Sequence, residues 1–345
     1  MRYFGFLLLL LTCCPALGQR LYRIQQFSPK YYGKVWLAEP NEVFSPGWVA
    51  VYERALGKLL LKVTSDELAA GVAGGQVKSN VHNLPYGEQS VLLYEDFNFD
   101  GIKDFALEDG QNSCYHGPSF RIYLAKNNGF VFSAAFTRLA QEYCGMFVVD
   151  RVHKRLSTMT KSGCCWHQFS QYVVRNNQPQ VVKIVEESIQ APPLVETTTQ
   201  RWNGKKMVRR KTITLDLADA HQKPVLSFRL AGTGKQVLLL SDGEQLSYAL
   251  LNAAGEVEFY YPDPAAETPD TPFTLSRSGP AATLIFQNSS AVYRLYEKPA
   301  GTGSPRVGIE VTANGKTLNL PGQPTTSRGS LAQVAAQKLV NVAQP

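Results

Sequence analysis

An all-β fold of two antiparallel domains, each a sandwich or barrel, follows from three observations on the sequence. Aromatic residues form 11% of the 345 residues, and glycines and prolines number 27 and 20, the mix of short strands joined by many turns. Short β-branched or aromatic runs bounded by Gly, Asn, Asp or Pro recur along the whole chain, which is how strands read. No stretch reads as a long helix. An apolar content of 44% with 18% charged residues excludes a fully disordered chain. After residue 11 no apolar run approaches the roughly 18 residues that span a bilayer, so no transmembrane segment is expected.

Residues 1–18 read as a secretory signal peptide: Arg2 supplies the charge, Phe4 to Leu11 the apolar stretch and Ala16-Leu17-Gly18 the small-residue cleavage site, which implies an exported protein. Leu10-Leu11-Thr12-Cys13 also resembles a lipobox, which would anchor the chain through Cys13.

A first β-domain is expected over 19–220. Its strand signals are Trp48 to Tyr52, Leu59 to Val63, Ser90 to Tyr94, Phe105 to Leu107, Phe120 to Leu124, Phe130 to Phe132, Phe147 to Val149, Tyr172 to Val174 and Val181 to Val185. Ser65 to Ala73 and Thr137 to Tyr143 are the two candidates for a short helix. After Pro192-Pro193, the segments Glu196 to Trp202 and Lys205 to Leu217 flank Asn203-Gly204, the signature of a hairpin with a type I′ turn. The boundary falls near 218–224. A second β-domain over 225–322 carries Leu226 to Leu230, Gln236 to Leu240, Leu246 to Leu250, Val257 to Tyr260, Phe273 to Leu275, Thr283 to Phe286, Val292 to Tyr296, Val307 to Val311 and Thr317 to Leu320, with Asp242-Gly243 and Asn314-Gly315 as turns. Residues 323–345 read as a polar tail with at most one short helix, Ser330 to Val342.

The stretch Asp96-Phe97-Asn98-Phe99-Asp100-Gly101-Ile102-Lys103-Asp104 places side-chain oxygens at loop positions 1, 3, 5 and 9 and a glycine at 6. Calcium takes six to eight hard oxygens, and the Ile102 carbonyl can add another to Asp96, Asn98, Asp100 and Asp104. Position 12 is Leu107, so this is not an EF-hand. The same loop could also be held by Asx turns alone.

Removal of the signal leaves four cysteines, Cys114, Cys144, Cys164 and Cys165, enough for two disulfides in an oxidising compartment. Adjacent cysteines close a strained ring, so Cys164 and Cys165 are each expected to reach back to Cys114 or Cys144. Cys114-x-His116 and Cys165-x-His167 would alternatively form a Cys2His2 zinc site.

The basic residues cluster once, at Lys205, Lys206, Arg209, Arg210 and Lys211. That cluster reads as an exposed hairpin or as a contact for an anionic envelope polymer or acidic partner; nucleic acid is not expected as a partner of an exported protein. No Gly-x-Ser-x-Gly elbow, His-Glu-x-x-His, P-loop or dinucleotide fingerprint occurs, and no enzyme activity is expected, although glycoside hydrolysis by two distant carboxylates would leave no local motif.

Taken together, Asp96-x-Asn98-x-Asp100-Gly101-x-x-Asp104, Gly110-x-Asn112, Gly117-Pro118-Ser119-Phe120, Tyr123-Leu124 and Lys161-Ser162-Gly163-Cys164-Cys165-Trp166-His167 resemble a family of bacterial exported β-domains over about residues 49–187. That family includes periplasmic immunity proteins that neutralise lysozyme-like effectors of antibacterial type IV secretion, and it is related to periplasmic inhibitors of invertebrate-type lysozyme. The acidic loop also resembles an integrin FG-GAP calcium loop. In the inhibitors a protruding Ser-Gly loop carrying a tyrosine enters the lysozyme cleft. Ser162-Gly163 matches the start of that loop, and Cys164, Cys165 and Trp166 follow where the tyrosine would stand.

The resemblance implies a periplasmic or secreted, non-enzymatic, calcium-binding β protein. It would act as a protein-binding module, an inhibitor or immunity protein against a cell-wall hydrolase, with Ser162, Gly163, Trp166 and His167 as the contact. Trp166 is either buried under a disulfide or held out as an aromatic anchor. The alternative function is a structural or adhesive protein of the cell envelope.

Overall fold

The computed structural model describes residues 20–83, 87–127, 129–218, 221–264, 270–301 and 305–344. The expected signal peptide and Cys13 lie outside them. The fold is all-β, built of mainly antiparallel sheets, with no closed barrel among the described residues. It divides into two compact units, Met1–Lys161 with Phe169–Val182, and Ser162–Gln168 with Lys183–Pro345.

In the first unit, one sheet has the order β4-β3-β2-β1-β6-β5, from β1 (Leu21–Ile24), β2 (Tyr31–Leu37), β3 (Ser45–Glu53), β4 (Leu59–Leu68), β5 (Val72–Ala73) and β6 (Gln76–Val77). A second has the order β10-β9-β8-β7, from β7 (Leu92–Glu95), β8 (Asp104–Ser113), β9 (Gly117–Lys126) and β10 (Gly129–Phe132). Because strand side chains alternate between faces, β8 serves two cores. Phe105 and Leu107 pack with Val35, Val49 and Val63 of the first sheet, while Ala106 joins Phe120, Phe136, Phe147 and Leu156 on the opposite side. A strand buried on both faces reads as a continuous apolar run, and Phe105, Ala106 and Leu107 are all fully buried.

The six-stranded meander β11-β12-β13-β14-β15-β16 follows, from β11 (Val148–Asp150), β12 (Arg155–Ser162), β13 (Trp166–Arg175), β14 (Gln178–Ala191), β15 (Leu194–Trp202) and β16 (Met207–Leu215). The division between units falls inside β14, at residues 182 and 183, not near 218–224. The β14–β16 ribbon belongs with the later residues because Leu215 and Leu217 pack on a core of Leu238, Leu240 and Ala249.

The second unit pairs two sheets. One has the order β20-β19-β18-β17-β26 and the other β25-β24-β23-β22-β21-β27. Their strands are β17 (Lys223–Arg229), β18 (Gln236–Ser241), β19 (Leu246–Leu251), β20 (Val257–Tyr261), β21 (Phe273–Ser278), β22 (Ala281–Asn288), β23 (Ala291–Lys298), β24 (Arg306–Ala313), β25 (Lys316–Pro321), β26 (Arg328–Gly329) and β27 (Val342–Ala343). Between them Phe228, Tyr248, Phe273, Phe286 and Leu295 form the core.

Three local expectations are corrected. Ser65 to Ala73 is not a helix: Ser65 and Leu68 continue the β3–β4 ladder opposite Gly47 and Ser45, and Val72–Ala73 forms β5. Helix α1 is Ala134–Leu139, earlier than expected, because the Ser133 hydroxyl accepts from Phe136 N–H and starts it. The turn between β15 and β16 takes four residues: Gly204 carries the positive φ of 97°, and Asn203 Oδ1 accepts from the N–H groups of Lys205 and Lys206 at 3.0 Å each.

The tail is not a polar appendage. β26 adds to β17, α2 (Leu331–Ala336) buries Leu331 and Val334, and β27 pairs in parallel with β21, so Leu339 and Val342 complete the second core.

Candidate functional site

The most conspicuous surface feature of the first unit is the β8–β9 connection. Cys114–His116 is a single 3-10 turn in which Tyr115 has φ 54° and ψ 37°, and His116 follows at φ 57°. Two consecutive non-glycine residues in the left-handed region are unfavourable by about 1–2 kcal/mol each, and they persist where the surroundings over-determine them. Here the restraints are the Cys114–Cys144 disulfide and a bond from Cys114 N–H to the Tyr143 carbonyl.

Beneath the turn, Ser119 Oγ donates to Asp109 Oδ1 at 2.6 Å and Gln141 Nε2 donates to Asp109 Oδ2 at 2.6 Å. Ser113 Oγ accepts from Gly145 N–H. The held turn displays Tyr115, 62% exposed, with the Lys161 ammonium 4.8 Å from its ring centre. His116 meets the half-exposed Phe44 edge-on and lies 3.4 Å from the Glu67 carboxylate. Tyr115 had been legible only as the spacer of a zinc half-site.

The Ser162 to His167 loop joins β12 to β13. Gly163 has φ 62° with open space around it, and Cys165 carbonyl accepts from Ile189 N–H at 2.8 Å. Ser162, Gly163 and Cys164 are exposed; Cys165, Trp166 and His167 are half-buried. Trp166 thus matches neither the fully buried nor the fully displayed alternative.

The cysteine pairing is corrected. Cys164 bonds to Cys165 and Cys114 to Cys144. The pairing follows from the fold: Cys114 and Cys144 lie side by side with Cα atoms 4.7 Å apart, which leaves Cys164 and Cys165 only each other. With all four sulfurs in disulfides, no thiolate is left for the Cys2His2 zinc reading.

The acidic loop is closed by its own amides. Asp96 accepts from Asp100 and Gly101 N–H, Asn98 Oδ1 from Asp100 N–H, and Asp100 Oδ1 from Ile102 N–H. Asp104 is fully buried. Its carboxylate accepts from Phe97 and Ala125 N–H, both at 2.8 Å, which ties the loop to β9; burial raises its pKa to about 7. Among the described residues no three His, Cys, Asp or Glu side chains form a group ready for a metal ion.

One buried acid was missed in the sequence. Glu108 on β8 accepts from Ala69 N–H and Gln111 Nε2 through Oε1, while Oε2 is buried without a protein partner. Desolvation pushes its pKa to about 8. Nearby, a groove of about 560 Å³ is lined by Ala69, Gly71, Lys78, Glu88, Ser90 and Val91; Lys78 and Glu88 are spent on each other in an ion pair.

Fold and site define an all-β protein of two units that displays a disulfide-tied aromatic turn. Among the described residues no helix is long and apolar enough to cross a membrane. No family model matches the chain, and none of the curated proteins does. Among solved structures, a Xanthomonas protein described as related to a type IV secretion system is similar at a TM-score of 0.44 and 18% identity, covering 57% of this chain and 96% of that one. Prolyl oligopeptidase B from Galerina marginata, as the apo protein, matches at a TM-score of 0.25 and 10% identity, over 88% of this chain and 42% of its own.

Proposed function

We propose that this is an exported, non-enzymatic binding module that grips a protein partner through the Tyr115 turn of the first unit; the Ser162 to His167 loop, which belongs to the second unit, is a separate candidate contact. The observation that carries the reading is Tyr115 itself: a large aromatic residue, 62% exposed, fixed in a left-handed conformation by a disulfide and a buried polar network. Rigid aromatic side chains are the residue type most enriched at binding hot spots, and a held turn loses little entropy on association. The disulfides support an oxidising compartment, periplasmic or extracellular.

The partner to test first is a lysozyme-like cell-wall hydrolase, the class to which the sequence resemblance points. The purified protein is titrated into an invertebrate-type lysozyme while peptidoglycan hydrolysis is followed. Inhibition that Tyr115→Ala weakens by about 2 kcal/mol or more, at an unchanged melting temperature, supports the reading. Absence of both binding and inhibition removes this hydrolase as the partner.

For the Asp96–Asp104 loop we propose Ca²⁺ as a structural ligand of Asp96, Asn98, Asp100, the Ile102 carbonyl and Asp104. A carboxylate accepting one or two amide hydrogens keeps lone pairs for a cation. Added calcium should raise the melting temperature by mass action and a chelator should reverse the rise; Asp100→Ala should abolish the response. A melting curve indifferent to both reagents would sink this ligand.

A further inference from the structure

The β15–β16 hairpin, in the second unit, carries four cations, and the adjacent β14 a fifth, that no acid in the described structure neutralises. Arg210 pairs with Glu256 and Lys211 with Glu196. Farther toward the turn, Lys183, Arg201, Lys205, Lys206 and Arg209 form no ion pair among the described residues. The register sharpens the point. Lys183 of β14 stands directly opposite Arg201 of β15, and Arg201 opposite Val208 of β16. Like charges facing across strands are unfavourable, an arrangement that an external anion relieves.

The same end of the hairpin is apolar as well as basic. Trp202 pairs with Met207 and Gln200 with Arg209, so alternation puts Trp202 and Arg209 on one face and Arg201 and Val208 on the other. Trp202 is 42% and Val208 45% exposed. Cations on β16 are partly explained as edge protection, since β16 ends its sheet and charges discourage edge-to-edge pairing. Edge protection does not call for an exposed indole and an exposed valine among them. An indole beside several cations is the composition that suits the boundary between lipid headgroups and acyl chains.

We propose that the end of the β15–β16 hairpin docks on an anionic phospholipid surface: Arg201, Lys205, Lys206 and Arg209 meet the headgroup phosphates, and Trp202 and Val208 enter the interface. Asn203 fixes the turn through the backbone amides of Lys205 and Lys206, and both lysines are exposed. The docking is independent of the Tyr115 turn.

The purified protein is sedimented with vesicles of phosphatidylcholine alone and of phosphatidylcholine mixed with phosphatidylglycerol. Binding only to the anionic vesicles is expected, falling as salt is raised. Each cation removed should lower the partition coefficient about five-fold. The charge reversals Lys205→Glu, Lys206→Glu and Arg209→Glu together should abolish binding, and so should the milder changes to Gln if the reversals disturb folding. Trp202→Ala should weaken binding several-fold, whereas Tyr115→Ala should not. Failure to bind anionic vesicles, or retention of binding by the charge variants, would overturn the proposal. Equal binding of wild type and Trp202→Ala to a soluble polyanion, with no preference for vesicles, would overturn it in favour of an anionic polymer.

Discussion

Glu108 makes the stability of the first unit depend on pH. Its pKa is about 8 in the fold against an ordinary 4.5, so between those values the native state holds a proton that the unfolded chain has released. Stability then falls as pH rises: the contribution is complete below 4.5 and is lost as pH passes through about 8. The groups acting on Glu108 are Ala69 N–H, Gln111 and the neighbouring Asp109. Denaturant midpoints measured at about pH 6 and about pH 9 should differ for the wild type, and Glu108→Gln should shrink that difference because its side chain does not titrate. An unchanged slope in the variant would place the pH dependence elsewhere. This residue was invisible in the sequence, where a Glu between Leu107 and Asp109 reads as an exposed strand position. It is buried because β8 is covered on both faces, a fact of sheet stacking and not of local pattern. Tyr115 was missed for a related reason, since a left-handed turn held by a distant disulfide leaves no trace in the three residues that form it.

The two disulfides predict opposite outcomes at the level of elements. Cys114–Cys144 closes a loop with a sequence separation of 30, and removing such a crosslink costs about 3–4 kcal/mol in the chain-entropy account. Cys164–Cys165 closes no chain loop between separate segments, so replacing both residues by serine should leave the melting temperature nearly unchanged. Peptide mapping under non-reducing conditions should recover both pairs, and a crosslink from Cys164 or Cys165 to Cys114 or Cys144 would contradict the fold. Most strands were legible because their alternation is clean. β1, β2, β12 and the two-residue strands were not read, and β2 shows why: Gly33 interrupts Tyr31 to Leu37, and glycine in a strand looks like a break. In the fold a Cβ there would lie 2.7 Å from Ile24 Cδ1, so the glycine permits close packing of β1 on β2.

For the whole molecule, the chain cannot be trimmed at the apparent end of its strand pattern. Leu331, Val334, Leu339 and Val342 are all buried in the second core, and each buried aliphatic side chain contributes about 1.5–3 kcal/mol. Their joint loss is comparable to the total stability of a typical domain. Truncation after Gly322 should therefore leave the second unit unfolded or aggregated, as read by circular dichroism and light scattering; a well-folded truncated protein would show that the tail is dispensable. The tail reads as polar in sequence because its apolar residues are sparse and divided between a short helix and a two-residue parallel strand, neither of which produces a periodic signal. The proposed partner binding rests on the Tyr115 turn, and calorimetric titration of the intact protein with an invertebrate-type lysozyme tests that turn directly. The account predicts saturable binding that Tyr115→Ala greatly weakens while the melting temperature holds; binding that is equally strong in the variant would contradict it.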